Sequence, residues 1–219
     1  MSARVIVVVL GKQGAGKGTQ CKRLAQHLGV PHVSTGDILR AAVRDRTTIG
    51  LEVASILEAG QLVNDDLVNR LVEERFNDAD TAGGALLDGF PRTEAQAEAL
   101  DQILGDDGVK ICINLDVPNA LVAERLSSRR VCQECGAIYR DSDIEAISGT
   151  CTNCGGDVVQ RADDMPEAIH QRLEVYERDT APLLAFYEAR GLLVRIDGDQ
   201  DPQTVTAEIL DALAERGVA

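Results

Sequence analysis

The stretch VIVVVLGKQGAGKGTQ, residues 5–20, constrains this chain more than any other. Its first half is a β-branched apolar run that reads as a buried strand. The run falls far short of the ~20 residues that span a bilayer. A glycine loop follows it directly, so it does not read as a signal peptide. Gly11, Gly14, Gly16 and Lys17 then have the spacing of a phosphate-binding loop. Glycines are needed there because backbone N–H groups must approach phosphate oxygens closely. Lys17 adds a mobile point charge, and the helix expected to follow turns its positive dipole end toward the anion. The common pattern has Ser or Thr straight after the lysine. Here Gly18 stands in that place and Thr19 follows it. A metal ion on the bound nucleotide would then be held chiefly by phosphates and water, not directly by a loop hydroxyl.

A chain of 219 residues suffices for one domain with a full core and insertions. Its net charge of −14 argues against a general binder of nucleic acid or anionic membranes, because the overall field repels polyanions. A phosphate site in such a chain needs local cations. Lysine occurs only at 12, 17, 22 and 110, so the other 18 basic residues are arginine. Aspartate-rich, lysine-poor composition fits either adaptation to high salt or a GC-rich genome. No export signal is apparent, which makes the cytoplasm the expected compartment.

Apolar runs at 4–10, from 85, at 109–118 and at 192–197 read as four strands. Helical patterns occupy 18–28, a stretch from Ser34 or Thr35 to about 44, 51–59, 65–76, 94–104, 119–129, 166–189 and 204–216, with Pro182 placed to kink or split the seventh. Strands alternating with helices imply an α/β fold, a parallel sheet covered on both faces. Ligands then bind beyond the carboxyl ends of the strands. The glycine-bearing turns after residues 10 and 87 both fall there.

Residues 131–160 break this pattern. Cys132, Cys135, Cys151 and Cys154 form two C-x2-C pairs separated by 15 residues. That is the spacing of a tetrahedral zinc site. Four thiolates close the coordination sphere, so the metal would be structural and would hold a small insert that lacks a core of its own. Disulfides fit a reducing cytosol poorly, and a redox CxxC would need a strand–helix context absent here. Cys21 and Cys112 read as small core residues.

GKQGAGKGTQ (11–20), STGDILRAAV (34–43) and LLDGFPRTEAQ (86–96), in this order and spacing, closely resemble the adenylate kinases, and the likeness runs over nearly the whole chain. The departures are Gln13, where the family usually has proline, and the acidic DSDIEA (141–146) in place of apolar and proline residues. The resemblance implies the P-loop nucleoside monophosphate kinase fold with two mobile inserts. Its core would be residues 1–33, 64–125 and 163–219, its AMP-binding insert 34–63 and its zinc-binding lid 126–162. It implies reversible transfer of the terminal phosphoryl group of Mg-ATP to AMP, giving two ADP, with Mg2+ and a structural Zn2+ as the metals.

Residue by residue, the resemblance puts ATP against Gly14, Ala15, Gly16, Lys17, Gly18, Thr19, Arg125, Arg129, Ile138, Tyr139 and Gln200. Arg140 would face the adenine opposite Arg125. AMP would meet Thr35, Arg40, Gln61, Leu62, Val63, Gly89, Phe90, Pro91, Arg92, Gln96, Arg161 and Arg172. Gln96 would read the adenine edge, since an amide both donates and accepts. Asp88 would face the metal shell through water. Phosphoryl transfer needs positioning and positive charge and no protein nucleophile. Lys17, Arg92, Arg129, Arg161 and Arg172 are therefore the expected catalytic cations, with Asp163 and Asp164 orienting arginines as the lid shuts. Arg130 and Arg178 read as solvated helix-face residues.

Three other readings stay open on the sequence. The chain fits a kinase for CMP, UMP or GMP, from which Thr35 and Gln96 point away. It also fits a nucleic-acid-binding zinc ribbon with a nucleotide switch, against which stand the net charge and a count of three Phe and three Tyr for stacking. A degenerate kinase kept as a structural subunit would lack a catalytic position, and none is missing. A monomer that binds no nucleic acid and no membrane is expected.

Overall fold

The computed structural model describes residues 4–218. The chain opens with β1 (Val5–Gly11), α1 (Lys17–Leu28), β2 (His32–Ser34), α2 (Thr35–Arg44), α3 (Thr48–Glu58) and α4 (Asp65–Phe76). Next come β3 (Gly84–Asp88), α5 (Glu94–Leu104), β4 (Ile111–Asp116), α6 (Asn119–Ser128), β5 (Arg129–Cys132), β6 (Ile138–Arg140), α7 (Ile144–Ser148) and β7 (Val158–Val159). It closes with α8 (Pro166–Val175), a π-helical turn (Tyr176–Thr180), α9 (Pro182–Ala189), β8 (Leu193–Asp197) and α10 (Pro202–Glu215).

Five of these strands form one parallel sheet in the order β2-β3-β1-β4-β8. Alternate residues of β1 serve opposite cores. Ile6, Val8 and Leu10 pack with α2–α5 and α9, while Val7 and Val9 pack with α1, α6, α8 and α10. Burial on both faces is why this strand reads as an unbroken apolar run rather than as an alternation. Helix starts are fixed by side-chain caps at Ser34, Thr47, Asn64, Thr93 and Asp201, each accepting a backbone N–H two or three residues on. Among the described residues, no helix is long and apolar enough to cross a membrane.

Two expectations needed correction, and two were met. The sheet has a fifth strand, β2, whose three residues pair with Leu86–Asp88 at the sheet edge; only Val33 in it is fully buried, too little to make a pattern. Helix α3 begins at Thr48, three residues before the expected Leu51, because the Thr47 hydroxyl caps it. The cysteine-bearing segment breaks the strand–helix alternation as expected, with short strands and a single one-turn helix, α7. The helical stretch expected over 166–189 is split just before Pro182, as that proline predicts, into two helices joined by the π turn. Pro182 has no N–H to donate, and the Ala181 N–H reaches back to the Tyr176 carbonyl at 2.8 Å, one residue farther than an α-helix allows.

Candidate active site

The loop between β1 and α1 turns through Gly14 and Gly16, whose φ of 85° and 101° is left-handed. A Cβ on Gly14 would meet Leu126 Cγ at 2.9 Å and the Val122 carbonyl at 3.1 Å, so the loop lies directly on α6. A Cβ on Gly16 would meet nothing within 4 Å, because that residue faces the main cleft. Gly14, Ala15, Gly16, Lys17, Gly18 and Thr19 all line this cleft. Lys17 Nζ donates to the carbonyls of Gly11 at 2.7 Å and Lys12 at 2.9 Å. Burial pushes its pKa down to about 8, partly opposed by the charge of Asp88. A partly buried ammonium held by two neutral carbonyls, with no carboxylate within 4 Å among the described residues, attracts an anion.

Asp88 ends β3 under Gly18, where a Cβ would stand 3.7 Å from its Oδ2. Burial raises its pKa, but the hydrogen bond from His32 and the charge of Lys17 outweigh that and hold it below the usual carboxylate range. An ionised carboxylate beside the phosphate loop is an oxygen donor of the kind a hydrated Mg2+ takes.

A second cavity adjoins the cleft, lined by Thr35, Arg40, Gln61, Leu62, Val63, Gly89, Arg92, Gln96 and Arg172. The Thr35 hydroxyl donates to the Gly89 carbonyl at 2.8 Å, tying the start of α2 to the turn after β3. Gly60 lets the insert approach α8, since a Cβ there would meet Arg172 Cγ at 2.7 Å and the Ala168 carbonyl at 2.8 Å. Gln96 is 2% exposed, accepts from the Arg92 N–H at 2.8 Å and donates to Asp65 at 2.6 Å. One lone pair and one amide hydrogen stay available to a base. The side chains of Phe90 and Pro91 are buried and do not line the cavity, so their share in the site is to shape the turn.

Lys17 and seven arginines, at 40, 92, 125, 129, 140, 161 and 172, line the main cleft. Asp164, with no exposed side-chain surface, accepts from Arg129 Nε at 2.8 Å and from Arg172 Nη1 at 3.0 Å. Asp163 pairs with Arg172 at 3.1 Å. Burial raises the Asp163 carboxyl, yet Arg172, Arg40, Arg161 and Arg129 together hold it below its ordinary value. The arginines press on one another. Burial and then Arg172 lower Arg92 to about 10, and burial followed by Arg40 and Arg129 lowers Arg161 to about 10. Both stay charged at neutral pH. Within 4 Å, Arg161 has no acidic partner among the described residues. This excess of buried positive charge is relieved by a polyanion.

The cysteines sit on a three-stranded antiparallel sheet, β6-β5-β7, with a core of only Cys132, Cys151 and Val158. The four sulfurs lie within 4.8 Å of one another, with Cys132 and Cys154 3.4 Å apart and Cys135 and Cys151 3.6 Å apart. Sulfurs at ~2.3 Å from a tetrahedral zinc are about 3.8 Å apart, so this donor set fits zinc. The Tyr139 hydroxyl lies 3.1 Å from Cys151 Sγ, and Ile138, the preceding residue, is 47% exposed. Both line the main cleft, as do Arg125 and Gln200. Gln200 also donates to Glu208, which fixes it at the rim.

The adenylate kinase family model matches residues 9–192 of this sequence. The chain belongs to the adenylate kinase family. It is 45% identical to the adenylate kinase of Carboxydothermus hydrogenoformans over 94% of this chain and 98% of that one. It is 46% identical to that of Syntrophotalea carbinolica, over 94% and 97%, and 45% identical to that of Shouchella clausii, over 96% and 98%.

Three residues that hold the site in this family member were not legible as such. His32 donates to Asp88 at 3.2 Å, Asp65 accepts from Gln96 and from Thr93, and Thr180 donates to the Arg92 carbonyl. Thr180 is carried by the π turn, so no helical period marks it. Arg178, in the same turn, pairs with Asp179 at the surface, as expected of a solvated residue.

Proposed function

We propose that the chain carries out the reaction its family is named for, reversible phosphoryl transfer from Mg-ATP to AMP giving two ADP, with the loop 14–19 and the cavity around Arg92 as its two nucleotide sites. One observation carries this reading: Lys17, Arg40, Arg92, Arg129, Arg161 and Arg172 converge on a single cleft between the phosphate loop and the 89–92 turn. Charge developing on the transferred group is stabilised there without reorganisation, since most of these cations are already anchored by carboxylates and carbonyls.

In this reading Gly14 to Thr19 cradle the ATP phosphates and Lys17 exchanges its two carbonyl partners for phosphate oxygens. Arg125, Ile138, Tyr139 and Gln200 border the ATP base, and Arg140 faces it. Thr35, Arg40, Gln61 to Val63, Gly89, Arg92 and Gln96 hold AMP, with Phe90 and Pro91 shaping the turn between Gly89 and Arg92. The AMP phosphate attacks the γ-phosphorus in line, with Arg92, Arg129, Arg161 and Arg172 around the equatorial oxygens. Mg2+, when bound, adds Lewis-acid charge to the phosphate oxygens, and Asp88 would orient its waters. The core would comprise 1–33, 64–125 and 163–219, with inserts 34–63 and 126–162 closing over AMP and ATP. Closure excludes water, which would otherwise accept the phosphoryl group. Zinc on Cys132, Cys135, Cys151 and Cys154 would keep the second insert folded. The chain would act as a monomer, and cysteines not paired in disulfides suit the reducing cytoplasm.

A coupled assay for ADP from ATP and AMP with magnesium tests the reading. Initial rates with AMP, CMP, UMP and GMP should favour AMP strongly. No ADP from ATP and AMP would overturn the assignment.

A further inference from the structure

Beside the phosphate loop, Cys21 Sγ, a ring nitrogen of His32 and a carboxylate oxygen of Asp88 all lie within 4.8 Å of one another. They come from three elements: α1, the first residue of β2 and the last of β3. His32 Nε2 stands 3.2 Å from Asp88 Oδ2. Zinc binds sulfur, imidazole nitrogen and carboxylate oxygen at ~2.0–2.3 Å, which puts the ligand atoms about 3.3–3.8 Å apart. Side-chain shifts of about 1 Å bring this triangle to that size. Cys21 itself has no exposed surface, whereas His32 and Asp88 border the open cleft at 14% and 13% side-chain exposure. An ion entering from the cleft meets these two first and the sulfur behind them. Gly18 presents no side chain over Asp88, which leaves the approach clear.

We propose that Cys21, His32 and Asp88 form a site for a divalent transition-metal ion of the zinc and cadmium type, and that its occupation inhibits phosphoryl transfer. The ion takes up the Cys21 sulfur as thiolate, the thiol proton passing to solvent, together with the His32 nitrogen and an Asp88 oxygen. Water fills the fourth position, as in zinc sites with three protein ligands. One soft and one borderline donor exclude Mg2+, which demands hard oxygens in an octahedron. The site therefore distinguishes inhibitor from the metal that accompanies ATP. Without an ion the thiol stays protonated and packs as a small apolar group, since burial pushes it well above its ordinary value. Four clustered thiolates bind zinc more tightly than one thiol, one imidazole and one carboxylate, so the lid fills first. Inhibition follows because the bound ion withdraws Asp88 from the nucleotide's metal shell and adds positive charge beside Lys17. That half of the proposal rests on the role given to Asp88 above, whereas the binding half does not.

The test starts from protein carrying one zinc in the lid. Zinc chloride is titrated in, with binding followed by native mass spectrometry and calorimetry. ADP formation is followed in parallel at fixed Mg-ATP and AMP. A second zinc ion is expected to bind, and the rate to fall over the same zinc range. Cys21→Ala and His32→Gln should each weaken the second ion by about tenfold or more. Cys21→Ala should keep its full basal rate and keep it at zinc levels that stop the wild type, which also controls for zinc taken up by nucleotide. Failure of the wild type to bind a second ion, or equal affinity in Cys21→Ala, overturns the site. A second ion lost in both variants but without effect on the wild-type rate overturns the inhibitory half. A protein with no rate before zinc is added overturns the enzymatic reading instead, and the binding data still decide the site.

Discussion

The Thr180 hydroxyl donates to the backbone carbonyl of Arg92 at 2.9 Å. On the other side of the same residue, Gln96 Oε1 accepts the Arg92 N–H at 2.8 Å, and the Arg92 Nε donates to the Gly89 carbonyl at 2.9 Å. The main chain of Arg92 is therefore pinned from two directions before any ligand arrives. The π turn between α8 and α9 also sends Glu177 to Lys12 of the phosphate loop at 3.5 Å. One irregular turn thus contacts both the phosphate loop and the 89–92 turn, the two loops proposed to hold the nucleotides, which gives it a positioning role.

Thr180→Val keeps the shape of the side chain and leaves the Arg92 carbonyl without its partner. One buried hydrogen bond is worth about 1 kcal/mol, and an unsatisfied acceptor costs somewhat more. The melting temperature should drop by a few degrees. Because Arg92 lies in the cavity proposed for AMP, KM for AMP should rise several-fold while KM for ATP changes little. Thr180→Ser, which restores the hydroxyl, should recover most of the AMP affinity. Equal KM values for AMP in the wild type and Thr180→Val would mean that the contact is structural only.

Lys17→Met should lower kcat by about 10²–10³ without unfolding the chain. The variant should be at least as stable as the wild type near pH 7. Lys17 has its folded pKa lowered from 10.5 to about 8 by burial, so its charge opposes folding. That penalty is fully present below pH 8 and fades as pH rises toward 10.5. Methionine removes it at every pH. Thermal melts of both proteins at pH 7 check the stability, and a marked loss in the variant would contradict it.

The same shift sets a pH dependence. In the free protein Lys17 becomes neutral as pH passes about 8 and loses its attraction for phosphate. Bound phosphates favour the charged form and carry the transition to higher pH. The ratio kcat/KM for ATP reports the free protein, and kcat reports the complex. So kcat/KM should fall above about pH 8 while kcat holds level further into the alkaline range. Parallel declines in both would show that the phosphates do not touch Lys17.

What was legible in the sequence were the features that backbone chemistry marks. The loop at 11–17 is spelled by glycines that only a close phosphate or a close helix requires, and α4 and α5 follow their caps at Asn64 and Thr93 to the residue. The four thiols were legible because metal spacing is a one-dimensional signal. Strand β2 was not, since a three-residue edge strand buries one side chain and has no period to detect. Nor was the double role of Asp65, which heads α4 and also holds Gln96 and Thr93, residues about 30 positions away. Such contacts are set by packing between elements, and composition within either element carries no trace of them.

Cys151→Ala removes one of four thiols from an insert whose core is three residues. Burial that small contributes only a few kcal/mol, so in the proposed zinc site metal bonds would supply most of this segment's stability. The variant should melt well below the wild type by calorimetry, with the loss confined to a separate low-temperature transition. At temperatures below that transition its rate should stay within about threefold of the wild type, since no thiol is placed among the reacting groups. A chelator added to the wild type should reproduce the same transition. Equal zinc content and an unchanged melt in Cys151→Ala would remove the knot from the account.

Asp164 is the sharpest electrostatic test. Its buried carboxylate binds Arg129 and Arg172 together. Asp164→Asn keeps the size and removes the charge, leaving Arg129 buried without a counter-ion while Asp163 still serves Arg172. Breaking one side of such a group costs about 3–5 kcal/mol. The expected result is a large fall in melting temperature, together with a change that simple loss of packing does not produce. A polyanionic ligand supplies the missing charge, so ATP or AMP should raise the melting temperature of Asp164→Asn more than that of the wild type. If nucleotides stabilise both proteins equally, these arginines do not face the phosphates, and the cleft has been read with its cations pointing the wrong way.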